Sequence, residues 1–374
     1  GTGVGFAQDA ATIYYNPAGM SFVGNQFSLG TNFLFPNTSF LDRNTNTLYD
    51  ANSQMFTPFS LYGAFKLSPT LNLGLGVYTP FGTGMKYPSD WAGRYILREI
   101  NLNTLFIQPT ASWKIANNFS LGMGLVFARG QMSLNKDIPL TSGTDSAIGN
   151  ASLRGNGSGF GYTLGAYLNA SDNISIGATY HSRVNMHIKE GHATFSNIPA
   201  ALSSEFPVSN TFTNDMPLPS EVCVGLAYHI TKQLCFTIDF NHTFWHSFDS
   251  LGFNFAYNTS QVTDAKSPRL YEDASCVRLG AQWEATEHAT FRGGVFFDQT
   301  PVRDGYVYPE LPDNNKVGVT AGASFKLDNN IHLDLSLLYE SVAARTQQNL
   351  ETGLYGTFQT RVLAPGIGLT YLIR

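Results

Sequence analysis

The chain has 374 residues, enough for two ordinary domains or one large closed architecture. Charged residues make up 13%, about half the ~25% typical of soluble domains, while aromatics reach 13% with 28 Phe and 18 Tyr. No apolar run approaches the ~18 residues a membrane-spanning helix needs. The net charge of −5 carries no basic stripe, which argues against nucleic acid as a partner. Mean hydropathy is nevertheless close to neutral, at −0.10. Few charges, many aromatics and no spanning helix together suggest a transmembrane β-barrel, in which apolar and small polar residues alternate.

The first 25 residues do not alternate. They contain DAATIYYNPAGM at 9–20, where an Asn-Pro turn signal follows a Tyr-Tyr pair. No cleavable leader is visible, so the reading is of a mature or trimmed form. From about Gln26 onward, period-two alternation sets in. In 119–128, Phe119, Leu121, Met123, Leu125 and Phe127 interleave mostly with small residues. In 234–241, Leu234, Phe236, Ile238 and Phe240 alternate with Cys235, Thr237, Asp239 and Asn241. In 331–338, Ile331, Leu333, Leu335 and Leu337 alternate with polar residues.

Short polar turns are expected near 68–70, 116–118, 170–173, 231–233, 285–288 and 328–330. Irregular loops are expected near 41–54, 83–98, 137–156, 196–211, 249–268, 300–313 and 347–353. Short and long connections alternate strictly. The pattern predicts an all-β fold, a transmembrane antiparallel β-barrel of about 14 strands, with short periplasmic turns and seven extracellular loops. Residues 26–374 form the barrel. Residues 1–25 form an N-terminal hatch, because a lumen of that width leaks unless plugged.

The Leu/Ile/Phe/Val parity must face hydrocarbon. The other parity lines the lumen and collects Lys114, His181, Arg183, Glu221, Asp239, Arg278, Arg292, Asp298 and Asp334, which are expected to pair across strands or, as single members, to touch a ligand. Cys223, Cys235 and Cys276 show no metal-ligand spacing, and Cys223 should face about residue 240 rather than Cys235. Free buried thiols are expected, with no cofactor and no metal.

These residues resemble the FadL family of outer-membrane transporters for long-chain fatty acids and other hydrophobic compounds, over nearly the whole chain. The resemblance rests on DAATIYYNPAGM, on GLGVYTPFGTGMKYPSDWAGRY at 74–95, on FRGGVFFDQTPVRDGYVYPELPDNNK at 291–316 and, more weakly, on LPSEVCVGLAY at 218–228. It implies uptake in the outer membrane of a Gram-negative bacterium, by a monomer embedded in outer-membrane lipid. The ligand, a long-chain fatty acid or other hydrophobic small molecule, is captured by extracellular loops, held in the barrel and released sideways at a kink in strand three. The hatch meanwhile blocks the aqueous route.

Carried over residue by residue, the resemblance places Thr79 and Phe81 beside the ligand and Pro80 and Gly82 at the kink. Pro cannot donate to a ladder, and Gly in a strand marks a bend. Arg129, Lys266 and Arg269 are the candidates to meet a carboxylate head. Met85, Tyr87, Trp91, Ile138 and Leu140 are placed in loops three and four as a capture groove. Asp9, Tyr14, Tyr15, Asn16, Pro17 and Ala18 form the hatch core, with Asp9 and Asn16 as its hydrogen-bonding anchors.

Neutral aromatic hydrocarbons could follow the same route. A general porin or a surface adhesin or receptor is less favoured. An enzyme is disfavoured: His181 and Ser182 are adjacent, and adjacent strand residues face opposite ways.

Overall fold

The computed structural model describes residues 2–142 and 145–373. Fourteen strands pair in chain order. β1 comprises Gln26–Asn32 and Phe35–Asp42, β2 Leu48–Asp50 and Phe59–Lys66, β3 Leu71–Tyr78 and Gly82–Lys86, β4 Glu99–Ala116 and β5 Phe119–Ser142. Next come β6 Asp145–Asn169, β7 Ile174–His181 and Val184–Ser196, β8 Ser209–Leu218 and Glu221–His229, and β9 Leu234–Thr243 and Ser250–Phe255. The last five are β10 Ala265–Pro268 and Ala274–Glu284, β11 Ala289–Asp298, β12 Lys316–Lys326, β13 Ile331–Val342 and Arg345–Gln348, and β14 Tyr355–Leu372. β14 then pairs antiparallel with β1, Leu29 opposite Leu369, which closes the barrel. Closure removes the free ladder edges that an open sheet would expose.

Side-chain parity explains why this sequence closes in lipid. Leu226, Ile238, Leu279, Val295, Val319 and Tyr339 stand opposite one another across β8 to β13, and all are exposed. An exposed apolar belt of this extent is favourable only against hydrocarbon. The alternate residues turn inward: on β9, Cys235, Thr237, Asp239 and Asn241 are buried.

The six short turns fall where the sequence places them, at 67–70, 117–118, 170–173, 230–233, 285–288 and 327–330. The stretch 137–156 differs. Residues 143–144 lie outside the described residues; the rest of it is no irregular loop, because β5 runs on to Ser142 and β6 starts at Asp145 as paired strands, with Ile138 opposite Gly149. The cause is a change of phase. In the lower part of β5, the outward residues Leu121, Met123, Leu125 and Phe127 are the apolar ones. Higher up, the inward Met132, Leu134 and Leu140 are apolar and pack in clusters beneath the long connections. The strand has left the lipid, and its hydrophobic face has swapped sides.

Among the described residues the lumenal charges pair across strands in two places, Arg292 with Asp334 at 3.7 Å and Lys316 with Asp298 at 3.6 Å. Arg183 is a correction. It lies in the interruption of β7 at 182–183 and is exposed, not lumenal. Cys223 stands opposite Asn241, and all three cysteines are free and buried.

The residues before β1 fold into the short-turn end of the lumen. Thr12–Tyr15 makes one helical turn and Pro17–Phe22 a 3₁₀ segment. Asn16 joins them: its Oδ1 accepts from Ala18 N (3.1 Å), and its Nδ2 donates to Val4 O and to Ala166 O of β6, both at 3.0 Å. The wall supplies further partners. Gln108 Nε2 donates to Ile13 O (2.8 Å), Ser120 Oγ donates to Ala18 O (2.7 Å), and Asp239 accepts from Gly3 N (2.8 Å) and Val4 N (3.2 Å). Asp9 has a more local role, accepting from Ala11 N at 2.8 Å. Gly177 of β7 lets the segment approach this closely, since a Cβ there would lie 1.8 Å from Val4 O. Contacts run from β3 to β10. On the side of β11 to β14 a polar cleft of about 1100 Å³ remains, lined by Asp9, Arg292 and Asp334 among others.

Candidate functional site: two cavities and an interrupted wall

The wall is interrupted at β3. Pro80 brings no N–H to a ladder, and residues 79–81 belong to neither half of the strand. Side-chain hydroxyls join two backbone bonds there, Thr79 N to Phe59 O and Thr104 N to Phe81 O, both at 3.2 Å. Thr79 Oγ1 accepts from Phe59 N (3.0 Å) on one side. Thr104 Oγ1 accepts from Phe81 N (3.2 Å) and donates to Phe81 O (2.6 Å) on the other. Beyond the interruption, Gly82–Lys86 pairs with β4 alone. On its other side β2 has no strand over 51–58; among the described residues only Asn52 N reaches across by a backbone bond, to Lys86 O at 2.8 Å. The gap is filled by the ring of Phe56, which rests on Gly84.

An inner cavity of about 360 Å³ abuts this interruption. Pro80, Phe81, Tyr78 and Phe106 form its apolar side, Tyr14 of the N-terminal segment contributes to its wall, and Arg278 is its cation. Tyr14 is wedged between Tyr78 (5.1 Å between ring centroids) and His181 (5.6 Å). The Arg278 guanidinium donates to Asn241 Oδ1 at 2.6 Å and has no carboxylate within 4 Å among the described residues.

An outer cavity of about 450 Å³ lies among the long connections, with Ile138, Phe206, Phe253, Phe255 and Val262 as its apolar lining. Its one buried cation, Arg269, is already engaged. It bonds Glu310 at 2.5 Å and Ser267 Oγ at 2.7 Å, and lies 3.7 Å over the Tyr308 ring.

The sequence-predicted residues therefore separate. Pro80 and Phe81 line the inner cavity, and Gly82 opens the second half of β3. Thr79 is spent on the wall, against Phe59. Arg129 faces outward on the parity of Leu125 and Phe127, away from both cavities. Lys266 is exposed, while Arg269 lines the outer cavity as half of an ion pair. Met85 lies in the second half of β3, Tyr87 and Trp91 belong to the connection between β3 and β4 rather than to a third or fourth loop, and none of the three lines either cavity. Tyr87 stacks on Trp91 at 3.9 Å within a buried cluster that includes Phe40 and Phe358. Leu140 is buried against Phe206 and Val262, and only Ile138 of the five reaches the outer cavity. Ser182 Oγ bonds to the backbone of Tyr162 and Arg183. Arg278 was expected only as one of the inward charges and was not singled out for a carboxylate; its inward parity on β10, facing Asp239, was the available signal.

The profile of the family described as "Outer membrane protein transport protein (OMPP1/FadL/TodX)" matches residues 1–373. The chain belongs to this family. It is an outer-membrane transport protein. Among its relatives, the long-chain fatty acid transport protein of Escherichia coli K12 is 23% identical, with 89% of this chain and 82% of that protein covered. Outer membrane protein P1 of Haemophilus influenzae is 24% identical, covering 89% of this chain and 80% of its own. In fold, the chain is similar to the crystal structure of a Pseudomonas aeruginosa FadL homologue, with a TM-score of 0.89 at 17% identity over 100% of this chain and 96% of the other. The toluene transporter TodX of P. putida gives a TM-score of 0.82 at 17% identity, again over 100% and 96%. By the rule for such barrels, the short-turn end is periplasmic and the long connections are extracellular.

Proposed function

We propose that this FadL-family member takes up long-chain fatty acids or similarly elongated hydrophobic molecules with an anionic head. The apolar outer cavity collects the ligand from the cell exterior. The inner cavity then holds it, with its head at Arg278 and its tail against Tyr78, Phe81 and Phe106. Release runs sideways past residues 79–81, between β2 and β3, into the outer membrane. The N-terminal segment acts as the hatch and closes the direct route to the periplasm.

The observation that carries this reading is the position of the inner cavity, which has a cation without a carboxylate partner on one side and the interrupted wall on the other. Burying a hydrocarbon tail is worth ~0.8 kcal/mol per CH₂, so chain length adds affinity, and the cation selects the head. A second reading, neutral aromatic hydrocarbons, is favoured by the outer cavity, where Glu310 already neutralises Arg269.

Displacement of a bound fluorescent fatty acid from the purified protein separates the two. Competition by long-chain fatty acids and weak competition by toluene support the first. Tight toluene binding with no competition by any fatty acid transfers the assignment to the second.

A further inference from the structure

Three side chains that the transport reading leaves unused converge on the lumen wall beside the inner cavity. His181 of β7 stands directly opposite Glu221 of β8, and Cys223 follows two residues later on the same face. One donor atom from each, an imidazole nitrogen, a carboxylate oxygen and the thiol sulfur, lies within 4.8 Å of the others. His181 Nδ1 is 3.3 Å from Thr163 Oγ1, which leaves Nε2 as the ring nitrogen open to another partner. The Glu221 carboxylate accepts from Cys223 Sγ (2.7 Å), Asn241 Nδ2 (3.0 Å) and Thr243 Oγ1 (3.0 Å). No cation lies within 4 Å of Glu221 among the described residues, since Arg278 is directed to Asn241. A carboxylate in a lumen wall with no counter-ion is unfavourable, and an ionisable group at this depth points to function.

We propose that His181, Glu221 and Cys223 bind a thiophilic divalent cation of the Zn²⁺ type. Nitrogen, oxygen and thiolate sulfur are the donor set such ions take. Donors around one tetrahedral zinc lie about 3.3–3.8 Å apart, so the cluster closes on an ion by small side-chain rotations. On binding, the Cys223 S–H bond breaks, a sulfur–metal bond forms and the proton leaves to water. Carboxylate and thiolate then balance the 2+ charge, and the imidazole binds neutral. Thr163 orients the ring as an outer-sphere partner. The fourth position opens toward the inner cavity, which His181 and Glu221 both line. Tyr14 packs on His181, so the ion would sit against the hatch. The site does not depend on what the transporter carries.

The test uses the full chain, purified in detergent, stripped of metal and free of any affinity tag. Co²⁺ is titrated while the thiolate-to-cobalt charge-transfer absorption is followed. One equivalent should produce the band, and Zn²⁺ should displace it. Cys223→Ser should abolish it, and His181→Gln should weaken Co²⁺ binding at least about tenfold. Cys235→Ser and Cys276→Ser should keep it. Absence of the band in the folded wild type overturns the proposal, and so does a band that survives Cys223→Ser. If Cys223→Ser fails to fold, undiminished Co²⁺ affinity in folded His181→Gln overturns it.

Discussion

The ring of Phe56 rests on the backbone of Gly84, so closely that a Cβ at that position would lie 2.3 Å from it. This one side chain fills the stretch of wall where β2 and β3 exchange almost no ladder bonds. Phe56→Ala should therefore speed release of bound ligand. Exposing an aromatic ring costs about 1.5–3 kcal/mol, and a barrier lower by about 1.4 kcal/mol raises a rate about tenfold. Stopped-flow dissociation of a fluorescent fatty acid measures it. An unchanged rate removes Phe56 from the exit.

Gly177 tests the hatch. A methyl group there would meet Val4 O at 1.8 Å, so Gly177→Ala must push the N-terminal segment off β7 while leaving the outward face untouched. The expected result is a folded barrel with a steady planar-bilayer conductance several-fold above wild type. Wild-type conductance in that variant would mean the segment does not seal the lumen.

Arg278→Met separates head recognition from tail burial. Hydrogen bonds to charged groups contribute about 1.5–3 kcal/mol, so fatty-acid affinity should fall about tenfold or more. Toluene binding should change little. Equal losses for both ligands would show that Arg278 shapes the cavity and does not read the head.

The Arg269–Glu310 pair is nearly closed to solvent, with side-chain exposures of 6% and 16%. Removing one partner of such a pair leaves a buried charge, which costs about 3–5 kcal/mol. Arg269→Ala should loosen the extracellular connections, seen as earlier proteolysis within 249–313. Lys266→Ala, at an exposed site, should stay within about 0.5 kcal/mol of wild type. Equal protease resistance in both variants would contradict the assignment.

The barrel was legible because alternation and turn chemistry are local signals, repeated many times along the chain. The long hairpin at 137–156 was not, because the apolar phase passes from Leu125 and Phe127 to Met132 and Leu134 where the strand leaves the lipid. The interruption of β3 could be read from Pro80 alone. Arg129 was misassigned although its parity with Phe127 already placed it outside. The partnership of Arg269 with Glu310, and the meeting of His181 with Glu221 and Cys223, depend on which strands and loops become neighbours. Spacing along the chain shows only that Glu221 and Cys223 share a face of β8.

The hydroxyls of Thr79 and Thr104 have a consequence for the energetics of opening. In hydrocarbon, each backbone group deprived of its partner costs several kcal/mol, so an ordinary barrel seam cannot be parted cheaply. At residues 79–81 two backbone bonds remain, Thr79 N to Phe59 O of β2 and Thr104 N of β4 to Phe81 O, while four others run through the Thr79 and Thr104 hydroxyls and Pro80 has no N–H to leave unpaired. The membrane-facing wall thus contains a stretch where parting the strands breaks few backbone-to-backbone bonds.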